Sequence, residues 1–191
     1  MALAAALTQD LDANLETLVE LYQDFHRAPE LSMQEHQTAA RIKTLMEERG
    51  YDTFVCGGTG VVATLSNGDG PVIAYRADTD GLPIQEDTGA DFASTAKGTL
   101  PDGTSTWVMH GCGHDTHITV ALETARLLAE HRDLWAGTAV FLFQPGEETS
   151  AGAAAMLEDG LWDRAPKPSA GLGQHLWPPP PGTVSVTGGT A

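Results

Sequence analysis

The sequence predicts an α/β fold, a mostly parallel sheet flanked by helices. Three observations predict it. Long segments carry apolar residues at helical spacing. Short apolar runs of strand length lie between them. Reactive side chains sit just beyond the ends of those runs, where open parallel sheets gather their ligands. The 191 residues suffice for one domain with a real core.

The elements follow in order. Leu11, Leu15, Leu18, Val19, Leu21 and Tyr22 space a helix over 11–26, broken by Arg27-Ala-Pro-Glu-Leu-Ser. A second helix is expected over 33–49. Ser32 is its N-cap and Glu35, three residues on, completes a capping box. Ala39, Ala40, Ile42, Leu45 and Met46 face the core, and Gly50 ends the helix. Strands are expected over 53–56, 61–65 and 72–76, separated by turns at Gly57–Gly60 and Asn67–Gly70. Residues 82–103 are rich in Gly, Thr, Asp and Pro and read as a long loop. Ile118, Ala121, Leu122, Ala125, Leu128 and Ala129 mark a helix over 116–131. Thr138–Phe143 is a buried strand stopped by Gln144-Pro-Gly, and a helix follows over 151–157. Residues 170–176 form a strand ended by four prolines, Pro178 to Pro181, and 183–187 one more. The proline run marks either a linker or a rigid surface turn.

Charge narrows the function. Ten Lys and Arg oppose 26 Asp and Glu, a formal charge of -16. Such a surface repels phosphate backbones and anionic membranes, so no nucleic acid or membrane partner is expected. No apolar run reaches transmembrane length. Met1 to Leu7 is apolar but short and lacks a basic start, which does not read as a secretory signal. Cys56 and Cys112 make no disulfide framework, and Cys112 among histidines favours a reduced, cytoplasmic setting.

The chemistry concentrates between Trp107 and His117. Three His, one Cys and one Asp fall within residues 110–117, with two glycines that let the backbone turn sharply. A thiolate and an imidazole two residues apart, Cys112 and His114, make a plausible ligand pair for a divalent transition metal. Asp78 follows one strand, Glu147 and Glu148 another, and His175 lies near the end of the last apolar run. Two adjacent carboxylates on a turn point in different directions. One can bind a metal while the other takes a proton from a nearby water. Either Glu alone also fits a helix N-terminus. His110 and His117 can be ligands, supports of ligands, or neither. Trp107 and Trp177 line a pocket or belong to the core, and Cys56 is expected to be buried and inert.

These residues resemble a known family. His-Gly-Cys-Gly-His-Asp at 110–115, Gln-Pro-Gly-Glu-Glu at 144–148, Arg-Ala-Asp-Thr-Asp-Gly-Leu-Pro at 76–83 and Gln-His-Leu-Trp-Pro at 174–178 are similar to motifs of the dinuclear metal-dependent amidohydrolases. That family includes hippurate hydrolases, N-acyl-amino-acid amidohydrolases and plant auxin-conjugate hydrolases. Pro-Glu-Leu-Ser at 29–32 and Gly-Gly-Thr-Gly-Val-Val at 57–62 fit as well.

The resemblance implies roles. Cys112 bridges two divalent metal ions, His114 and Glu148 each bind one, and His175 occupies another position. Glu147 is the general base and later the proton donor, and Asp78 is the carboxylate behind the site. The implied reaction is hydrolysis of an N-acyl amino acid. The mixed ligand set does not choose among zinc, manganese and cobalt. Members of the family continue into a lid domain, which usually carries the dimer contact, and then return to supply a further metal-binding histidine. By that comparison residues 1–180 are the N-terminal part of the catalytic domain and 181–191 start the connection towards the lid. A truncated chain of this kind is expected to hold metal weakly, to hydrolyse little and to leave sheet edges unpaired. A non-catalytic metal-binding module and a thiol enzyme using Cys112 and His114 are the competing readings. Cys112 lacks the Pro-Cys-x-x-Cys partner that zinc deaminase chemistry needs.

Overall fold

A computed structural model of the chain describes residues 2–178, 180 and 182–186. Its elements are α1 (Ala2–Arg27), α2 (His36–Glu48), β1 (Asp52–Cys56), β2 (Gly60–Asn67), β3 (Val72–Asp78), β4 (Lys97–Thr99), β5 (Ser105–Trp107), α3 (His114–Glu130), β6 (Gly137–Gln144), α4 (Gly152–Glu158), α5 (Leu161–Arg164) and β7 (Ala170–Gly173).

The main sheet has the order β1-β2-β6-β3-β7. β3 pairs in parallel with β6 and with β7, whereas β2 runs antiparallel to both β1 and β6. Four strands therefore share one direction and only β2 opposes them. The expected α/β architecture is present, as a mixed sheet.

Alternation along each strand explains why the sheet is covered on both faces. Val61, Ala63, Leu65, Phe141 and Phe143 point into one core with Phe25, Ile42, Met46, Ile118 and Leu122 of α1, α2 and α3. Val62, Ala74 and Val140 point the other way, against Met156 and Leu161 of α4 and α5. The chain leaves β3 through α3 to β6 on one side, then passes through α4 and α5 to β7 on the other. β3 is thus the point where the strand order reverses. The carboxyl ends of β3, β6 and β7 open there side by side, and Asp78 is in register with Gln144.

Several expectations are corrected. α1 begins well before Leu11, since the Ala-rich start favours helix. α2 begins at His36, not Met33. Ser32 does not cap it: its hydroxyl donates to Asp80 Oδ2 at 2.6 Å, and Met33 sits at φ 62°. The cap comes from Glu30, whose carboxylate accepts the N–H groups of Gln37 and Thr38 at 3.1 and 2.8 Å. Glu35 occupies the N-cap position without a side-chain bond to its own helix. The 82–103 segment is not all loop, because Lys97–Thr99 pairs with Ser105–Trp107 in a small hairpin. α3 starts at His114, two residues before Thr116, so His114 rides on the helix itself. The last strand stops at Gly173 rather than 176. Residues 183–186 form no strand, and Thr187 lies outside the described residues, as do Pro179 and Pro181. No helix among the described residues is long and apolar enough to cross a membrane.

Candidate metal centre

The sharp turn expected around Cys112 is built on Gly113, which has φ 80° and precedes the first turn of α3. It turns Cys112 and His114 towards the same rim. Pro145 and Gly146, the latter at φ 55°, bring Glu147 and Glu148 there from the end of β6. His175 arrives two residues beyond β7.

Two groups of potential ligand atoms result, each mutually within 4.8 Å. One comprises Cys112, His114 and Glu148; the other Asp78, His114, His117 and His175. All four residues expected as metal ligands are therefore brought together, and His114 is common to both groups. Glu147 stands at the same point, its Oε2 3.8 Å from His114 Nε2.

Hydrogen bonds sort these side chains. His114 is fully buried, and its Nδ1–H donates to the backbone carbonyl of Asp80 at 2.9 Å. That bond turns Nε2 towards the carboxylates. Asp78 Oδ2, Glu147 Oε2 and Glu148 Oε1 lie 3.6, 3.8 and 3.9 Å away. Yet His114 Nε2 and Glu148 Oε1, both buried, make no hydrogen bond among the described residues. Buried polar atoms aimed at one another without bonding suit a cation between them.

His117 is engaged differently. Its Nδ1 lies 2.5 Å from Asp78 Oδ1, and its Nε2 accepts the Leu176 backbone N–H at 2.9 Å. Both of its ring nitrogens are thus engaged within the protein. Asp78 lies behind His114, fully buried, with Arg76 Nη1 2.7 Å from its Oδ2.

The electrostatics follow from these contacts. Burial opposes ionisation of Asp78, but the His117 bond, then the charges of His114 and Arg76, outweigh it and hold the carboxyl at about 2. The Glu148 carboxylate beside Cys112, then burial, push its thiol up to about 12. Burial would lower His114, but the Asp80 bond and neighbouring carboxylates raise it overall. Burial drives His110 down to about 4. His110, Cys112, Asp115, His175, Tyr22 and Trp177 line an open cleft of about 430 Å³ over the site.

Two contributors were not singled out for the site from sequence, Asp80 and Glu35. Asp80 orients His114 and accepts the Glu148 backbone N–H at 3.0 Å through the same Oδ2 that holds Ser32. Its signal was the Asp-Thr-Asp spacing at the end of β3. Glu35 was expected only as part of a capping box, and for His117 the supporting role was one of the alternatives left open. Of the two tryptophans, Trp107 is half-buried with Lys97 Nζ 4.3 Å above its ring, and Trp177 borders the cleft with 81% of its surface exposed. Cys56 is buried as expected, its thiol donating to the Met156 carbonyl.

The sequence profile of peptidase family M20/M25/M40 matches residues 74–188, which hold Asp78, Asp80, Cys112, His114, His117, Glu147, Glu148 and His175. The chain belongs to that family. Among its relatives, N-acetylcysteine deacetylase of Bacillus subtilis is 42% identical over 176 residues, 90% of this chain and 43% of that protein. IAA-amino acid hydrolase ILR1-like 6 of Arabidopsis thaliana is 36% identical over 78% of this chain and 31% of its own length. The crystal structure of a Bacillus subtilis dinuclear metal binding peptidase of the M20 family superposes with a TM-score of 0.76 at 40% identity, covering 87% of this chain and 44% of that one. The chain thus spans less than half of the length of each of these relatives.

Proposed function

We propose that this M20 chain is the metal-binding part of an amidohydrolase acting on N-acyl amino acids. The observation that carries the reading is the convergence of Cys112, His114 and Glu148 around a buried, unbonded imidazole nitrogen. The donor set of sulfur, nitrogen and oxygen fits zinc, manganese or cobalt. A pair of such ions would be held by Cys112, His114, Glu148 and His175, with His114 common to the two groups. When bound, the pair supplies Lewis acidity towards an acyl carbonyl and a water.

The protein's own side chains do the rest. Glu147 has over a third of its side chain exposed at the rim, open to solvent beside His114. It takes a proton from that water and delivers it to the leaving nitrogen. Asp80 and Asp78 fix the ring planes of His114 and His117. The relatives named for deacetylation of N-acetylcysteine and for hydrolysis of IAA-amino acids support an N-acyl amino acid as substrate. Residues 1–180 are read as the N-terminal part of the catalytic domain and 181–191 as the start of a connection towards a lid, the segment through which relatives would dimerise. A reducing, cytoplasmic setting suits the free Cys112.

Metal content tests the reading. Equilibration with zinc or cobalt should load up to two ions per chain, removable by chelator, with the load falling in Cys112→Ser. Glu147→Gln should keep the metal and lose whatever amide hydrolysis the loaded chain shows on N-acetyl amino acids. A chain that takes up no metal overturns the proposal, as does turnover insensitive to chelator.

A further inference from the structure

Glu35 is a carboxylate with no surface exposure, and it makes no ion pair among the described residues. Such a group is costly to bury unless donors satisfy it. Three do, from three separate parts of the chain. Met33 N–H and Gly146 N–H both reach Oε1, at 2.9 and 2.8 Å. The Thr59 hydroxyl reaches Oε2 at 2.5 Å. Thr59 belongs to the turn between β1 and β2, and Gly146 to the turn that carries Glu147 and Glu148.

The packing around Gly146 is equally close. A Cβ built there would meet Met33 Sδ at 2.6 Å, and φ is 55°. Gly152 N–H and Ala151 N–H return to the Gly146 carbonyl at 3.2 and 3.0 Å. The turn is therefore clamped from outside by residues 33–35 and closed on itself from inside. The next two residues after the clamped amide are the two glutamates.

We propose that Glu35 is a positioning residue for the 145–148 turn, fixing Glu147 and Glu148 opposite Cys112 and His114 by accepting the Gly146 N–H. The inference rests on the roles given to those glutamates above. Local helix capping does not account for Glu35, because its side chain makes no bond to α2 and Glu30 supplies that cap. A charge-assisted bond to a backbone N–H is also stronger than a neutral one, which suits a clamp on a backbone turn.

The test reads the turn directly, by residue-resolved amide hydrogen exchange in the metal-free chain, and then cobalt binding through the thiolate–cobalt absorption of Cys112. Glu35→Ala should speed exchange at Gly146 at least tenfold, with Phe141 and Val62 still protected, and should weaken cobalt binding about tenfold. Glu35→Gln keeps an oxygen for the N–H groups and should recover most of both, leaving a residual acceleration of about threefold. Unchanged exchange at Gly146 in Glu35→Ala overturns the proposal, and so does acceleration spread evenly over β2 and β6. Cobalt affinity equal to wild type in that variant overturns it too. Should Glu35→Ala not fold, Glu35→Gln decides: exchange at Gly146 equal to wild type overturns the clamp. Local loosening in a chain that binds no cobalt, wild type included, supports the clamp and overturns the metal reading instead.

Discussion

The backbone N–H of Leu176 donates to Nε2 of His117, 2.9 Å away, and so ties the exposed segment after β7 to the helix that carries His114. The link continues inward, because His117 Nδ1 meets Asp78 Oδ1 at 2.5 Å and Asp78 Oδ2 meets Arg76. His175, next to Leu176, packs its ring 4.8 Å from that of His117 and 5.7 Å from that of His114.

His117→Ala should therefore act at two levels. It strands a fully buried Asp78 carboxylate, which costs about 1–3 kcal/mol for the lost hydrogen bond. It also frees the 174–178 segment, so His175 is no longer held at the rim. The expected outcome is a lower melting temperature together with weaker zinc binding. Thermal denaturation with and without zinc separates the two: a variant that melts lower but binds zinc as wild type does would show that His117 does not place His175.

Asp78 gives the stability its acid limb. Its folded pKa of about 2 lies below the ordinary 3.8. A carboxylate depressed on folding contributes stability that is present above about pH 3.8 and lost as the pH falls through about 2. Asp78→Asn should lower the melting temperature at neutral pH and flatten its decline over that window. A variant whose melting temperature falls with acid as steeply as wild type would place the acid sensitivity elsewhere.

How much of this was legible follows the range of each interaction. Val61–Leu65 was legible from its alternation and Thr138–Phe143 from an apolar run that burial on both faces demands. The ligand candidates were legible because Cys112, His114 and the Glu147–Glu148 pair are local patterns placed after strands or before a helix. The failures are long-range. Ser32 has the residue type and spacing of an N-cap, but Asp80, 48 residues away, takes its hydroxyl. Glu35 bonds across 111 residues to Gly146, which no window of sequence can display. The hairpin of β4 and β5 was missed because two three-residue strands, Lys-Gly-Thr and Ser-Thr-Trp, carry a single apolar residue between them.

Cys112 should be a poor nucleophile in the metal-free chain. With its thiol pushed up to about 12, the thiolate fraction at pH 8 is on the order of 10⁻⁴. Alkylation by iodoacetamide in the presence of chelator should be far slower than for an ordinary exposed thiol. Glu148→Gln removes the first cause of the shift and should speed it. Cys56, fully buried, provides the internal control in mass spectrometry. Rapid alkylation of Cys112 in the chelated wild type would favour the competing thiol-enzyme reading.

The last prediction concerns the open side of the sheet. All four residues of β7 are exposed, and among the described residues the strand pairs only with β3. Beside it lies an apolar hollow of about 230 Å³, lined by Ile73, Tyr75, Leu128, Trp135, Phe141 and Leu172. An unpaired strand edge next to an apolar hollow is a template for another strand and a site for apolar groups. The 191-residue chain should therefore associate with rising concentration and bind a hydrophobic dye. Leu172 is 59% exposed, so Leu172→Lys removes apolar surface and adds an edge charge at little cost to the fold. Sedimentation velocity across a concentration series should shift towards monomer in that variant, with dye fluorescence falling in parallel. Association unchanged by Leu172→Lys would move the contact away from β7, to the exposed Leu176, Trp177, Val184 and Val186 beyond it.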